Sequence, residues 1–89
     1  MDAKAIYECF RHRRTALDGQ LQDGDALMEI RIRRVVPKGL LIGASYTPSL
    51  NARVKIYVDR FAVEGVVVRR NEFECSIHFI RPVERDNPY

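Results

Sequence analysis

The chain has 89 residues, of which 46% are hydrophobic and 30% are charged. This length fits one compact domain without a cleft between two domains, and the apolar fraction excludes a chain that is disordered throughout. No apolar run approaches the ~20 residues of a membrane-spanning helix, and the N-terminus lacks the apolar core of a secretory signal. We therefore expect a small cytoplasmic domain, and the size disfavours most one-domain enzymes.

Arginine carries most of the positive charge: the net charge is +3, and twelve of the fifteen basic residues are arginines. A guanidinium is a planar fork of donors that matches a phosphate or a carboxylate in pairs, which favours an anionic partner. The alternative is an arginine surface that contacts only solvent. The arginines in the first half of the chain form two clusters, Arg11, Arg13 and Arg14, and then Arg31, Arg33 and Arg34.

The first predicted element is a short helix over about residues 3–12. Its apolar side chains Ile6, Tyr7 and Phe10 recur at the spacing of one helical face. Asp2 is suited to cap this helix or to lie in its first turn, where the helix dipole favours an acid.

From Leu17 onward the apolar residues recur with a period of two, which predicts strands. The first strand ends at a turn over 23–25. The second strand, in 28–36, alternates apolar with charged side chains. The turn at 37–39 follows, where proline fixes one backbone angle and Gly39 is expected to be free to take a positive φ.

The C-terminal half is predicted to be strand and turn after the longest loop, residues 45–51. Alternating patterns over 53–59 and 73–79, and a valine-rich stretch over 61–69, predict three more strands. The turn at 71–72 separates the last two of them.

We predict an all-β fold: a small six-stranded antiparallel β-barrel with a short N-terminal helix, because closure removes exposed strand edges. The single domain covers residues 1–80, with strands in about 15–80, and residues 81–89 form a flexible tail. The expected core consists of Leu17, Leu21, Ile30, Ile32, Leu40, Ile42, Val54, Ile56, Val58, Val67, Ile77 and Phe79.

Two Cys-x-x-His pairs, Cys9 with His12 and Cys75 with His78, supply four residue types that zinc accepts. In a strand, positions three apart point to opposite faces, so Cys75 should face the core and His78 the solvent. We therefore expect no metal site. No serine, histidine and acid arrangement or glycine-rich phosphate loop is evident, which favours a binding module over an enzyme.

An RNA- or DNA-binding barrel of the Sm-like or OB-like kind is the alternative to a protein-binding one. Such proteins interleave exposed aromatic rings with basic residues for base stacking. Here Tyr46 and Tyr57 are the rings expected to be exposed, whereas Phe61, Phe73 and Phe79 are in core phase. The sequence therefore favours nucleic acid less.

The arginine-rich segment before the first strand and the final strand, Glu-Cys-Ser-Ile-His-Phe-Ile over 74–80, resemble the PilZ family. The likeness is strongest over 52–80 and extends more loosely from Arg11 to Ile80. It implies a six-stranded bacterial barrel that binds cyclic di-GMP or acts as an adaptor in motility, pili, polysaccharide and virulence circuits.

In ligand-binding PilZ members, two arginines separated by three residues precede the first strand and hold the ligand's phosphates. Arg14 stands at the second of these places and Phe10 at the first. Arg11 and Arg13 are the available substitutes.

The second family motif places an aspartate, a small hydroxyl residue two later and a glycine three after that, on the turn between the second and third strands. This chain has Arg34, Val36 and Gly39 at those places. A guanidinium cannot accept hydrogen bonds from the edge of guanine. The resemblance therefore implies weak or lost cyclic di-GMP binding.

These observations lead us to expect a PilZ-like adaptor that requires no cofactor, has cyclic di-GMP as a possible ligand and binds an acidic protein partner. The alternative is a small basic β-barrel that binds RNA or DNA. Partner binding is assigned to Arg31 and Arg33, which are on the face of their strand opposite to that of Ile30 and Ile32. The candidate ligand-binding residues are Arg11, Arg13, Arg14, Arg34 and Gly39.

Overall fold

The computed structural model describes residues 3–13 and 17–81. Within these residues the helix is found as predicted, and the predicted tail lies outside them from residue 82 onward. The elements are α1 (Ala3–Arg13), β1 (Leu17–Asp23), β2 (Ala26–Val36), β3 (Gly39–Gly43), β4 (Arg53–Val58), β5 (Phe61–Arg70) and β6 (Glu74–Phe79).

The strands form a closed antiparallel barrel in the order β1-β2-β3-β6-β5-β4. The barrel closes between its first and fourth strands, where Leu21 lies opposite Ile56. Two-residue turns connect β1 to β2 and β4 to β5, and each contains a residue with positive φ, Gly24 at 61° and Asp59 at 56°. The predicted all-β class and six-stranded barrel are confirmed.

The inward positions of the strands fill the barrel with apolar side chains. All twelve residues predicted for the core are buried, because each follows the local alternation of period two on its strand. The core also contains Cys75, as predicted, and the structure adds Ala3, Ile6, Val35 and Val63.

Helix α1 contacts β2 and β5, which are not neighbours in the barrel. A helix that reaches both strands lies across an open end of the barrel. Ala3 and Ile6 are buried in the core, and the half-buried Tyr7 and Phe10 pack against it. The apolar helical face predicted from the sequence thus covers the barrel interior.

The loop over residues 44–52 is tied to β5 and to the β5–β6 turn. Thr47, 2% exposed, donates its hydroxyl proton to the carbonyl of Asn71 at 2.8 Å and accepts a hydrogen bond from Nε of Arg70 at 3.2 Å. The backbone N–H of Asn51 donates to the carbonyl of Val67 at 2.8 Å. These bonds satisfy a buried hydroxyl and fix the path of the loop.

Phe73 is a correction, because this ring was predicted to be in core phase and 62% of its surface is exposed. The last strand begins at Glu74, so Phe73 belongs to the preceding turn. There the side-chain Oδ1 of Asn71 accepts hydrogen bonds from the backbone N–H groups of Phe73 and Glu74 at 3.0 and 2.9 Å. The turn held by this asparagine makes the last strand begin one residue later than the sequence indicated.

Tyr57 is a second correction, since the ring predicted to be exposed is half-buried. Its hydroxyl donates to Oε1 of Gln22 at 2.9 Å, and Nζ of Lys55 lies 5.7 Å from the ring centroid. Tyr46 is 60% exposed, as expected. Phe61 is only half-buried against the core.

Replacing Ile77 with aspartate should prevent folding. The side chain is 1% exposed, and an unpaired buried charge costs several kcal/mol in a domain with a small stability margin. The matched control is His78→Asp at the next, exposed position, which should fold normally. Thermal unfolding followed by circular dichroism checks both variants, and an unchanged melting temperature for Ile77→Asp would contradict the core assignment.

Candidate functional site

A bulge in β2 turns two consecutive arginines outward. The pairing with β3 shifts between Ile32 and Arg34, so Arg33 has no partner residue on β3. Strict alternation from Ile32 would have sent Arg34 into the barrel. The extra residue instead leaves Arg33 and Arg34 exposed and buries Val35, which is 8% exposed.

The two arginines predicted to bind a partner face outward, and each has an acidic neighbour. Nε of Arg31 lies 3.5 Å from Oδ1 of Asp18, and Nε of Arg33 lies 3.6 Å from Oε2 of Glu74. Exposed ion pairs of this kind contribute little stability, but they offset the local charge. Within the described residues, Arg34 has no ion pair or side-chain hydrogen bond, so no neighbouring carboxylate offsets its positive charge.

Arg34 lines a groove on the outer surface of β2, β3 and β6, beside the β2–β3 turn. Strand pairing brings its walls together: Arg34 lies opposite Leu41, which lies opposite Ser76, and Gly39 lies opposite His78. The groove has a volume of about 260 Å³. Its lining residues are Arg34, Val36, Gly39, Leu40, Leu41, Ser76, Ile77 and His78.

The groove can hold an anionic group beside an apolar one. The guanidinium of Arg34 donates to carboxylates or phosphates, Ser76 offers a hydroxyl, and Leu41 with Val36 supplies apolar surface. Its lining contains no carboxylate, so it lacks the paired acceptor that takes both donors on the edge of guanine, although the Ser76 hydroxyl can accept a single hydrogen bond. The groove therefore suits an acidic side chain better than a guanine base.

The structure corrects the expected conformation of Gly39, because Gly24 is the described glycine with positive φ. The turn between β2 and β3 consists of residues 37 and 38, and Gly39 is the buried first residue of β3. A Cβ atom built on Gly39 would overlap the carbonyl oxygen of Ile77. The glycine thus allows the backbones of β3 and β6 to approach.

We expect Gly39→Ala to lower the free energy of unfolding by about 1–3 kcal/mol, the usual cost of forcing extra volume into a tight contact. Gly24→Ala is a useful comparison, since nothing lies within 4 Å of its added methyl and its cost arises from the positive φ alone. Urea unfolding of both variants measures the two costs. A fully stable Gly39→Ala variant would contradict the packing role.

The N-terminal arginine cluster is only partly described. Arg11 and Arg13 belong to α1, but their side chains and the whole of Arg14 lie outside the described part of the structure. Phe10, at the place of the first family arginine, is half-buried against the core. This position therefore serves packing, and the ligand role of the three arginines stays a prediction.

A second, acidic depression lies on the surface of β1 and β4, with a volume of about 270 Å³. Within residues 3–13 and 17–81, no group of three His, Cys, Asp or Glu side chains has the arrangement to hold a metal ion. Acidic side chains thus line this depression, whereas the unpaired Arg34 lines the groove beside the β2–β3 turn. The lining residues are Asp18, Gly19, Gln20, Glu29, Tyr57 and Asp59.

The Cys-x-x-His pair of β6 is divided by the barrel wall, as predicted. Cys75 is 1% exposed on the inside, whereas His78 is exposed outside. Burial raises the pKa of the Cys75 thiol to about 11 from 9.0, and the nearby charge of Arg70 opposes this shift. Cys75 is thus a core side chain.

The thiol of Cys75 should react with iodoacetamide at pH 8 about a hundredfold more slowly in the folded protein than in guanidinium chloride, given the raised pKa. Peptide-resolved mass spectrometry measures this rate separately from that of Cys9. Because the unfolded thiol loses its proton first, stability should fall as the pH rises from 9.0 towards about 11. Equal labelling rates in both states would contradict the burial.

Sequence reasoning missed Ser76, His78 and Leu41 as groove residues. The alternation of β6 places Ser76 and His78 on the outer face, and this could have been predicted. Which strand lies beside them could not, since β3 and β6 are far apart in the chain. The pairing of these strands brings the three side chains next to Arg34.

Comparison of the chain with protein-family models, with curated proteins and with solved structures finds no match.

Proposed function

We propose that this chain is a PilZ-like adaptor domain that binds an acidic segment of a partner protein at the groove beside the β2–β3 turn. The observation that carries the proposal is the unpaired, outward guanidinium of Arg34 next to the apolar surface of Leu41. Arg31 and Arg33 precede Arg34 on the same strand. Such a basic surface steers an acidic partner and fixes its orientation more than it adds affinity.

Weak or lost binding of cyclic di-GMP follows from the same groove. Arg34 occupies the place of the family's aspartate and Val36 that of the hydroxyl. A site built to hydrogen-bond its ligand loses about 1–3 kcal/mol for each unmatched buried group. The groove keeps a donor for a phosphate or carboxylate but lacks the carboxylate that would accept both edge donors of guanine.

Nucleic acid is the second candidate, and the exposed ring of Phe73 is an observation in its favour. Tyr46 follows the end of β3 and Phe73 precedes β6, and the Ala44 N–H donates a hydrogen bond to the Phe73 carbonyl at 2.9 Å. Arg34 lies towards the other end of the strand pair. The neighbours of Phe73 in the chain are Glu72 and Glu74, which repel phosphates, so we rank protein above nucleic acid.

The proposal is a binding function and not catalysis. Ser76 and His78 lie on the same face of β6, but neither side chain makes a hydrogen bond to the other or to any other described residue. A serine nucleophile needs an adjacent base that is itself oriented by a third group.

No helix in the described residues has the length and apolarity to cross a membrane. We propose that the adaptor acts in the cytoplasm.

The experiment is a heteronuclear NMR titration with three separate ligands: an acidic peptide, cyclic di-GMP and a short single-stranded RNA. We expect the peptide to shift the amides of Leu41, Ser76 and His78, and the effect to weaken above ~0.15 M salt, where the screening length is about 8 Å. Arg34→Glu should weaken peptide binding by about tenfold or more, because reversal places like charges together.

The matched control is Arg60→Glu on the β4–β5 turn, whose guanidinium lies 5.6 Å from the ring centroid of Phe61. It makes the same change in net charge outside the groove and should leave peptide binding nearly unchanged. Arg31→Gln and Arg33→Gln should show smaller losses than Arg34→Glu. Sub-micromolar cyclic di-GMP binding, or preferential binding of RNA, would overturn the proposal.

A further inference from the structure

His78 and Arg34 lie at diagonal corners of the groove beside the β2–β3 turn. Strand pairing forms two rows of opposed residues across β2, β3 and β6, with Arg34 at the start of one row and His78 at the end of the other. In order, the rows are Arg34, Leu41 and Ser76, and then Val36, Gly39 and His78. Both ionisable side chains line the groove, so a ligand held there lies between them.

Gly39 leaves the space between His78 and β2 open. Its place in the row has no side chain, and an added Cβ atom would lie 3.0 Å from the Cα atom of His78. The backbones of β3 and β6 therefore approach closely here, which brings His78 towards β2. Two strand spacings amount to about 10 Å, so an anion between β2 and β6 lies within reach of both Arg34 and His78.

The imidazole of His78 has no partner that fixes its charge. The side chain is exposed, and it makes no hydrogen bond or ion pair in the part of the chain that the structure describes. Histidine is the residue type whose charge ordinarily changes between pH 5 and 8. As an imidazolium it has two N–H donors and no acceptor. Protonation therefore makes this corner of the groove a second cationic donor.

The acids on the strands beside His78 already have arginine partners. Glu64, the one acid of β5, lies 3.4 Å from the guanidinium of Arg53, and Glu74 of β6 lies 3.6 Å from that of Arg33. β3 contains no charged residue. The other charged residues near His78, on β2, on the β2–β3 turn and just after β6, are cations: Arg34, Lys38 and Arg81. A carboxylate from outside is thus the partner that a protonated His78 lacks.

We propose that His78 is a second anion-binding residue of the groove and makes partner binding pH-dependent, so that an acidic segment is held more tightly as the pH falls from about 7.5 to about 5.5. This inference rests on the proposed function, because it concerns the same groove and the same ligand. The aspartates and glutamates of the ligand stay ionised over this range, since their ordinary pKa values are about 4. The change in affinity therefore arises in the protein.

Binding and protonation are linked in both directions. An imidazolium at His78 that favours the bound carboxylate is itself favoured by that carboxylate, by the same free energy. Peptide binding near the middle of the pH range should therefore take up a fraction of a proton. A histidine that contacts only solvent would produce neither the pH dependence nor the proton uptake.

Isothermal titration calorimetry with a glutamate-rich peptide, at about pH 7.5 and about pH 5.5, tests the proposal. We expect binding to be about two- to fivefold tighter at the lower pH, which is the size of effect that a partly exposed ion pair has. Titration at about pH 6.5 in two buffers of different ionisation enthalpy measures the proton uptake. His78→Gln has a neutral side chain and should bind with equal affinity at both pH values, without proton uptake.

The matched control is His12→Gln, which removes the other of the two histidines of the chain and should keep both effects. Circular dichroism of each variant at both pH values checks that folding is unchanged. Peptide binding without pH dependence, or pH dependence that His78→Gln retains, would overturn this proposal and leave the adaptor function standing. Absence of peptide binding at every pH would overturn the adaptor function, and this proposal with it.

Discussion

An unbroken row of apolar side chains along the inside of β2 is the constraint on which the rest of the barrel depends. Ile30 and Ile32 are buried, and Val35 continues the row after the bulge at Arg33. Without that extra residue, Arg34 would point into the core, where an unpaired guanidinium is too costly to keep. The bulge therefore preserves the core and creates the outward arginine in one step.

The unequal lengths of β2 and β3 give the two ends of β2 different surroundings. Its C-terminal end is covered by β3, and the turn between them places Arg34 beside the groove. Its N-terminal end, over 26–30, has a neighbour on one side only. One strand thus carries exposed arginines at one end and, at the other, a backbone edge that no described strand pairs with.

The arginines of β2 differ in their electrostatic surroundings because their neighbours differ. Arg31 lies near the carboxylate of Asp18 on β1, and Arg33 lies near that of Glu74 on β6, one strand beyond β3. Arg34 has no such neighbour in the described part of the chain. The positive charge that no carboxylate offsets is therefore at Arg34. Its position depends on which acidic residues β1 and β6 place near the other arginines, and not on the density of arginine in the sequence.

The sequence by itself determined the fold class and the core, because burial in a half-buried strand follows a local period of two: Ile56 and Ile77 could be assigned without knowing their neighbours. It also placed Cys75 inside and His78 outside by the same local rule. Tertiary structure decided what depends on pairing between distant strands. The exposure of Arg34 required the bulge opposite β3. Position 39 requires glycine because the backbone of Ile77 lies against it. The groove forms because β3 pairs with β6, and the edge of β2 over 26–30 is open because β3 pairs with β2 only from Arg31 onward. These features are absent from local periodicity because register and strand contact are properties of two segments together.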